Sequence, residues 1–162
     1  MSADEDLQSD LQPRLATAAD ADGVAGLLHD FNLEFDTPTP DIGVLAGRLR
    51  GLLAGEETFA ILAGTPTVAV ALVTLRPNVW YPGPVALLDE LYVVPNLRGR
   101  GIGSRVIGRL LTEARQRSLS LVEINVDEGD VDARRFYERH GFAATEPGST
   151  ERALYYFREV ER

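Results

Sequence analysis

Apolar residues in the first third of the chain recur at helical spacing. They follow intervals of three and four in two stretches, which predicts two amphipathic helices that each pack one face on a sheet. The first helix is expected to begin at Thr17, because Thr17 and Asp20 resemble a capping box. The second is expected over residues 42–54. The positions predicted to face inward are Val24, Leu27, Leu28 and Phe31 in the first helix and Leu45, Leu49, Leu52 and Leu53 in the second.

From residue 58 the apolar residues form short, partly β-branched runs instead. Runs at 58–63 and 67–76 flank a Gly-Thr-Pro turn and predict a hairpin, and a third strand is expected at 87–94. A strand at 121–126 follows a helix and should therefore run parallel to the third strand. The predicted fold is α/β, with about four helices on one mixed sheet of six or seven strands. A short first strand at 12–16, a short helix at 131–140 and a final antiparallel pair at 142–145 and 153–159 complete it.

Composition limits the kind of protein this is. The chain has 162 residues, a net charge of −9 and no cysteine. The absence of cysteine excludes disulfides and thiolate nucleophiles, and the acidity argues against a nucleic-acid partner. Its two histidines are far apart in sequence and outside any metal-ligand motif, so we expect no metal. No apolar run approaches the ~20 residues of a membrane span, and the first ten residues lack the basic and apolar regions of a signal peptide. We expect a cytoplasmic protein with a disordered acidic tail at 1–11 and one domain at 12–162.

A cationic, glycine-rich turn separates the third strand from the helix after it. The turn reads Arg98-Gly99-Arg100-Gly101-Ile102-Gly103. Strand, turn and helix together form an anion site, because the free N–H groups at the helix start and the helix dipole attract a phosphate group. The glycine spacing fits neither the Rossmann fingerprint nor the P-loop.

The turn fits the pattern Arg-x-x-Gly-x-Gly, through Arg98, Gly101 and Gly103, directly after a strand that ends Glu-Leu-Tyr-Val-x-Pro. Near the C-terminus stands Phe-Tyr-x-x-x-Gly-Phe, from Phe136 to Phe142. With these motifs the chain resembles the GNAT superfamily of acetyl-CoA-dependent N-acetyltransferases over about residues 13–159. The resemblance implies acetyl transfer from acetyl-CoA to a primary amine in a ternary complex, and a homodimer. A non-catalytic acyl-CoA-binding module and a protein amine acetyltransferase remain alternatives.

The resemblance also implies which residues bind acetyl-CoA. The pantetheine arm is expected to lie along the strand like an extra strand, and the pyrophosphate to lie on the turn. Asp130 stands where the family often has an asparagine that contacts the arm. A carboxylate accepts but cannot donate a hydrogen bond, so Asp130 either binds the arm or caps the helix that follows. The other expected cofactor-binding residues are Leu91, Tyr92, Val93, Arg98, Gly99, Arg100, Gly101, Ile102, Gly103 and Ser104.

Two residues are candidates for catalysis. Glu90 interrupts an apolar strand, and partial burial would raise its pKa toward neutrality, as a general base requires. Asp89 is held in reserve and is expected on the opposite face, because strand side chains alternate. Water is an alternative proton acceptor. By the resemblance, Tyr137 protonates the leaving thiolate; the alternative is that Tyr137 is an ordinary core residue.

An acidic loop with two prolines follows the first helix. Residues 32–41 carry Glu34, Asp36 and Asp41 around Phe35, and the resemblance places this loop at the acceptor site. Carboxylates and an aromatic face suit an ammonium ion, so we expect a small cationic amine; a solvated acidic loop is the alternative. Trp80 and Tyr81 lie in a second turn and form either a substrate wall or a dimer contact. The predicted substrate-binding residues are Phe31, Glu34, Phe35, Trp80 and Tyr81.

Overall fold

The computed structural model of the protein describes residues 10–161. Residues 1–9, most of the predicted acidic tail, lie outside the described residues. Leu11, the last residue of that predicted tail, is described and is buried. The chain divides into two compact units, of which the first ends at Ile124 and the second begins at Asn125.

The first unit is built on a sheet whose strands are in the order of the chain. Neighbouring strands are antiparallel except for the last pair, which is parallel, as the strand-helix-strand order predicts. Within the described residues the sheet has five strands rather than the six or seven predicted. The strands are β1 (Arg14–Leu15), β2 (Thr58–Ala63), β3 (Ala69–Arg76), β4 (Val85–Val93) and β5 (Val122–Ile124).

Three α-helices within residues 11–124 cover the sheet: α1 (Ala21–Glu34), α2 (Ile42–Ala54) and α3 (Ile102–Gln116). A 3₁₀ turn, Ala18–Asp20, precedes α1, and the Thr17 backbone N–H donates to the Asp20 carboxylate at 2.8 Å. The helices α1 and α2 pack on the face of the sheet that carries Leu62, Val70 and Tyr92. Helix α3 packs against β2, β3 and β4. Among residues 10–161, no helix is both long and apolar enough to cross a membrane.

The inward face of α2 differs from the predicted one at a single position. Ala46 and Leu49 are buried and Leu53 is half-buried, whereas Leu52 is 48 % exposed. The prediction for Leu52 is wrong because the buried stripe runs through the other three residues at steps of three and four. Leu52 falls beside that stripe.

The second unit contains one further helix, α4 (Val131–Arg139), close to the predicted 131–140. The predicted final antiparallel pair is wrong. Within the described residues it is reduced to a single bridge between Thr145 and Arg152, next to a 2.8 Å hydrogen bond from the Ala153 N–H to the Ala144 carbonyl. A two-stranded hairpin is marginal without further packing, and the large apolar residues after this bridge are exposed.

Candidate functional site

The pairing of β4 with β5 ends halfway along β4. Their parallel register pairs Ala86 with Val122 and Leu88 with Ile124. Within the described residues of the first unit, β4 has no β5 partner beyond Leu88. Within that part of the chain, the second half of β4 therefore has a free edge, and an extended ligand can add to such an edge as a strand would.

A β-bulge lies in β4 where its pairing with β5 ends. The pairing with β3 passes directly from Glu90 to Leu88, which leaves Asp89 as the extra residue. The Thr74 hydroxyl donates a hydrogen bond to the Asp89 carboxylate. Thr74 lies two residues from Leu72 on β3, and Leu72 is the partner of Glu90 on β4. Because side chains alternate along a strand, Thr74 and Glu90 lie on the same face of the sheet. Asp89, which accepts the hydrogen bond from Thr74, lies on that face too. The prediction that Asp89 points to the face opposite Glu90 is therefore wrong, because the bulge interrupts the alternation.

The backbone beyond the bulge presents hydrogen-bond donors to the free edge. The Val94 N–H donates to the Val68 carbonyl of the β3 side at 3.0 Å. Because successive residues direct their N–H groups to opposite edges, those of Leu91 and Val93 point away from β3. Tyr92 points its N–H toward β3 and is buried among the core residues of α1 and α2. The geometry suits Leu91 and Val93 as backbone contacts of an extended arm, and that assignment stays a prediction.

The glycine-rich turn leads from β4 into α3. Gly99 and Gly101 have φ of 74° and 77°, a left-handed conformation that only glycine adopts without strain. The first i to i−4 hydrogen bond of α3 is donated by the Arg105 N–H to the Gly101 carbonyl at 3.1 Å. The N–H groups of Ile102 and Gly103 precede it, at the positive end of the helix dipole, where an anion binds. The other predicted residues of this region, Arg100 and Ser104, are exposed.

Arg98 is bound to a carboxylate that lies 64 residues away in sequence. Its two terminal nitrogens donate to Glu34 at 2.6 and 2.8 Å, and its Nε donates to the Val93 carbonyl at 2.8 Å. The Tyr92 hydroxyl donates to the same carboxylate at 3.0 Å. We call these side chains, Glu34, Tyr92 and Arg98, the Glu34 cluster. The sequence analysis missed the cluster, and no local pattern signals it.

The charged groups of the Glu34 cluster stabilise each other. The hydrogen bonds from Arg98 lower the pKa of Glu34, and those to Glu34 raise the pKa of Arg98. Burial, and then the hydrogen bond to Glu34, raises the pKa of Tyr92. Arg98 and Glu34 thus neutralise each other, although the sequence analysis assigned Arg98 to a phosphate and Glu34 to an ammonium ion.

Glu90 lies on the half of β4 that has no β5 partner, beside the bulge. Burial raises the pKa of this carboxyl group, and the negative charge of Asp89 raises it further. The expected direction of the shift is therefore confirmed. A carboxyl group of raised pKa next to the free edge has the character of a general base, and that role stays a prediction.

The aromatic residues predicted to bind substrate fall into two separate groups. Phe31 stacks on Tyr92 with ring centroids 5.1 Å apart, and Phe35 packs edge-on against Phe31 at 5.2 Å. Trp80, which is 85 % exposed, and Tyr81 lie before the start of β4, where Tyr81 lines a pocket of about 330 Å³. Tyr92 is at the far end of that strand, roughly 20 Å away at the usual rise per residue. The structure does not bring the two groups together.

The second unit holds the remaining predicted site residues. The Asp130 carboxylate accepts a 3.0 Å hydrogen bond from the Ala133 N–H, which confirms the interpretation that it caps the helix. Tyr137 is buried, and its ring packs edge-on against Phe136 and Phe142 at 5.2 and 5.6 Å. Its proposed part in protonating a thiolate is not tested by these contacts.

The strand, turn and helix of the first unit define an α/β protein with a glycine-rich turn at the start of α3 and a free strand edge beside it. Residues 25–142 match the sequence model of the acetyltransferase (GNAT) family. The chain therefore belongs to the GNAT family, whose members are acyltransferases.

Individual relatives agree with this assignment. A crystal structure of a candidate acetyltransferase from Arthrobacter sp. FB24 has a TM-score of 0.86 and 56 % identity, and the match covers 91 % of this chain and 95 % of that one. An uncharacterised N-acetyltransferase of Methanocaldococcus jannaschii is 39 % identical over 62 residues, or 38 % of this chain. The aminoalkylphosphonate N-acetyltransferase of Salmonella typhimurium is 40 % identical over 55 residues, or 34 % of this chain. The chain spans only 27 % and 36 % of the length of these last two relatives.

Proposed function

We propose that the protein transfers the acetyl group of acetyl-CoA directly to a small primary amine, within a ternary complex. The observation that carries this proposal is the half of β4 that has no β5 partner, beside the glycine-rich turn. The arm of CoA is an extended chain of amides, which suits the backbone N–H groups of Leu91 and Val93. Its pyrophosphate suits the start of α3. The positive φ of Gly101 favours glycine there, and glycine has no side chain that would block the approach of a ligand to the turn.

The reaction makes two proton-transfer demands that this chain can meet. The amine nitrogen forms a bond to the thioester carbonyl carbon and loses a proton, for which we propose Glu90 as the acceptor. Its raised pKa brings a carboxylate closer to the basicity that this step requires at neutral pH. The carbon–sulfur bond then breaks, and the thiolate takes a proton, for which Tyr137 is the proposed donor on the strength of the sequence motif. A backbone N–H at the free edge would stabilise the developing oxyanion.

The acceptor class rests on two observations. The Salmonella relative is named for an acceptor that carries a primary amine on a small molecule. In this chain the loop after α1 offers Phe35, Asp36 and Asp41, whereas Glu34 is already bound to Arg98. We propose that a cationic amine is attracted by Asp36 and Asp41. The double variant Asp36→Asn with Asp41→Asn should raise the KM for the amine and leave the KM for acetyl-CoA unchanged.

Two measurements made in sequence test the function. The first is thermal unfolding with acetyl-CoA, CoA or ATP at about 100 times the Kd of a true ligand. Such a ligand adds nearly 3 kcal/mol to the unfolding free energy by mass action, which is about 6–11 °C in Tm for a domain of this size. A shift with the CoA species but not with ATP supports the site. The second is release of free CoA thiol with a panel of small amines and with peptides.

The outcomes separate the proposal from its alternatives. Turnover of small amines supports it, and turnover of peptide amines alone indicates a protein acetyltransferase. Tight binding of CoA with no turnover of any amine indicates a binding or sensing module. No shift with saturating acetyl-CoA contradicts acetyl-CoA binding altogether.

A further inference from the structure

We propose that Glu34 is a positioning residue for the glycine-rich turn, acting through Arg98, rather than a carboxylate that binds the acceptor amine. This inference rests on the proposed function, because the turn is taken to bind the pyrophosphate of CoA. Glu34 is the last residue of α1, and Arg98 is the first residue of the turn. The pair therefore joins the helix that leads into the acceptor loop to the segment that binds CoA.

The contacts of Arg98 fix its orientation. A guanidinium group has five N–H donors in a plane, and three of them are directed to Glu34 and to the Val93 carbonyl, at 2.6 to 2.8 Å. Its carbon also lies 5.3 Å from the centre of the Tyr92 ring. Within residues 10–161, two donors remain, on the sides of the group that do not face Glu34. A side chain held in this way loses little further conformational freedom when an anion binds beside it.

Glu34 is suited to this task and poorly suited to an ammonium ion. Both of its oxygens accept hydrogen bonds from Arg98, and Oε2 also accepts from the Tyr92 hydroxyl. An amine would have to compete with a bidentate guanidinium contact, which is the strongest geometry available to a carboxylate. Phe31 closes the cluster from α1 by stacking on the Tyr92 ring.

Substitution of Glu34 distinguishes positioning from simple electrostatics, because the two predict opposite changes in the Kd for CoA. Removing a negative charge beside an anion site should strengthen CoA binding if only Coulomb attraction matters. If Glu34 positions Arg98, Glu34→Gln should instead weaken it, and we expect the Kd for CoA to rise about tenfold. Asp30→Asn is the matched control, because Asp30 lies one turn earlier on the same helix and close enough to Tyr92 to raise its pKa. This control should leave the Kd for CoA unchanged or lower it slightly.

The complete experiment measures CoA binding by calorimetry for the wild-type protein, Glu34→Gln, Asp30→Asn and Arg98→Lys, and for the double variant of Glu34→Gln with Arg98→Lys. Positioning requires that Arg98→Lys, which keeps the charge but not the planar fork, also weakens binding, and that adding Glu34→Gln then has little further effect. Tyr92→Phe, a smaller change to the cluster, should raise the Kd less than Glu34→Gln and serves as the test if Glu34→Gln does not fold.

The result that overturns the inference is a Kd for Glu34→Gln equal to or below that of the wild-type protein, or a KM change confined to the amine. In either case the proposed function stands. If the wild-type protein itself binds no CoA, the proposed function fails instead. A second readout is amide hydrogen exchange over residues 96–104 in the ligand-free protein, which should be faster in Glu34→Gln than in Asp30→Asn.

Discussion

A single methyl group at Gly101 tests the phosphate-binding turn directly. Gly101 has a φ of 77°, and a Cβ added there meets no atom of the protein within 4 Å. The cost of Gly101→Ala is therefore conformational rather than a clash. A left-handed non-glycine residue costs about 1–2 kcal/mol, and the reduced freedom of the unfolded chain returns about 0.4–1 kcal/mol. We expect a net loss of about 1 kcal/mol, or roughly 2–4 °C in Tm.

Gly108→Ala is the matched control on the same helix. Gly108 lies inside α3, is exposed, and also has no atom within 4 Å of an added Cβ. Alanine is favoured over glycine there by about 1 kcal/mol, so this variant should gain stability by about the amount that Gly101→Ala loses. The two substitutions are chemically identical and should move Tm in opposite directions.

The binding of CoA then distinguishes a structural turn from a ligand site. Because the protein leaves space around Gly101, the added methyl group clashes with no protein atom. A large loss of CoA affinity can therefore come only from a clash of the methyl group with the ligand or from displacement of the N–H groups of the turn. We expect the Kd to rise at least tenfold for Gly101→Ala, or about 1.4 kcal/mol, and to be unchanged for Gly108→Ala. Titration calorimetry with CoA measures both. Equal affinities in the two variants would refute the assignment of the turn to the pyrophosphate.

Four further predictions concern the base, its neighbour Asp89, the helix cap and the core. Glu90→Gln should lower kcat/KM for the amine about a hundredfold or more. Because the pKa of Glu90 is raised in the folded protein, ionisation of this group lowers the stability of the fold as pH rises through that pKa. Glu90→Gln should therefore not lower Tm at neutral pH. Asp89→Asn should move the acid limb of the pH–rate profile to lower pH; an unmoved limb would exclude coupling to Glu90. Asp130→Ala should cost about 1 kcal/mol in denaturant unfolding, whereas Asp130→Asn should cost little. Leu110→Ala, in the fully buried seam of α3, should cost about 2–5 kcal/mol, and a smaller value would mean that the core refills the space.

Local sequence patterns predicted the elements of the first unit well. The spacing of apolar residues placed α2 at its observed bounds and β2 likewise, and the position of Arg98 and Gly101 after a strand indicated the turn. These features depend on neighbours within a few residues, which a periodic pattern records. The raised pKa of Glu90 followed from the position of this acid in an otherwise largely apolar strand.

Features that depend on distant residues were not predictable in this way. Asp89 was assigned to the wrong face because a bulge arises from the pairing of two strands, and a single strand does not reveal it. The Glu34 cluster joins residues 64 positions apart in sequence. Neither the acidic loop nor the glycine-rich turn therefore indicated the contact between Glu34 and Arg98. The prediction of a final strand pair was wrong for a related reason. An apolar run forms a strand only where another strand offers an edge with which it can pair.

The free edge of β4 has a consequence for solubility as well as for binding. Unpaired backbone groups in the middle of a sheet are a template for another chain to add to, which is how edge-to-edge aggregation begins. Natural sheets discourage such addition with bulges and with charges, and β4 carries both, since the bulge falls at Asp89 and Glu90 follows it. Glu90, the proposed proton acceptor, and its neighbour Asp89 thus also guard the edge to which we propose that CoA binds.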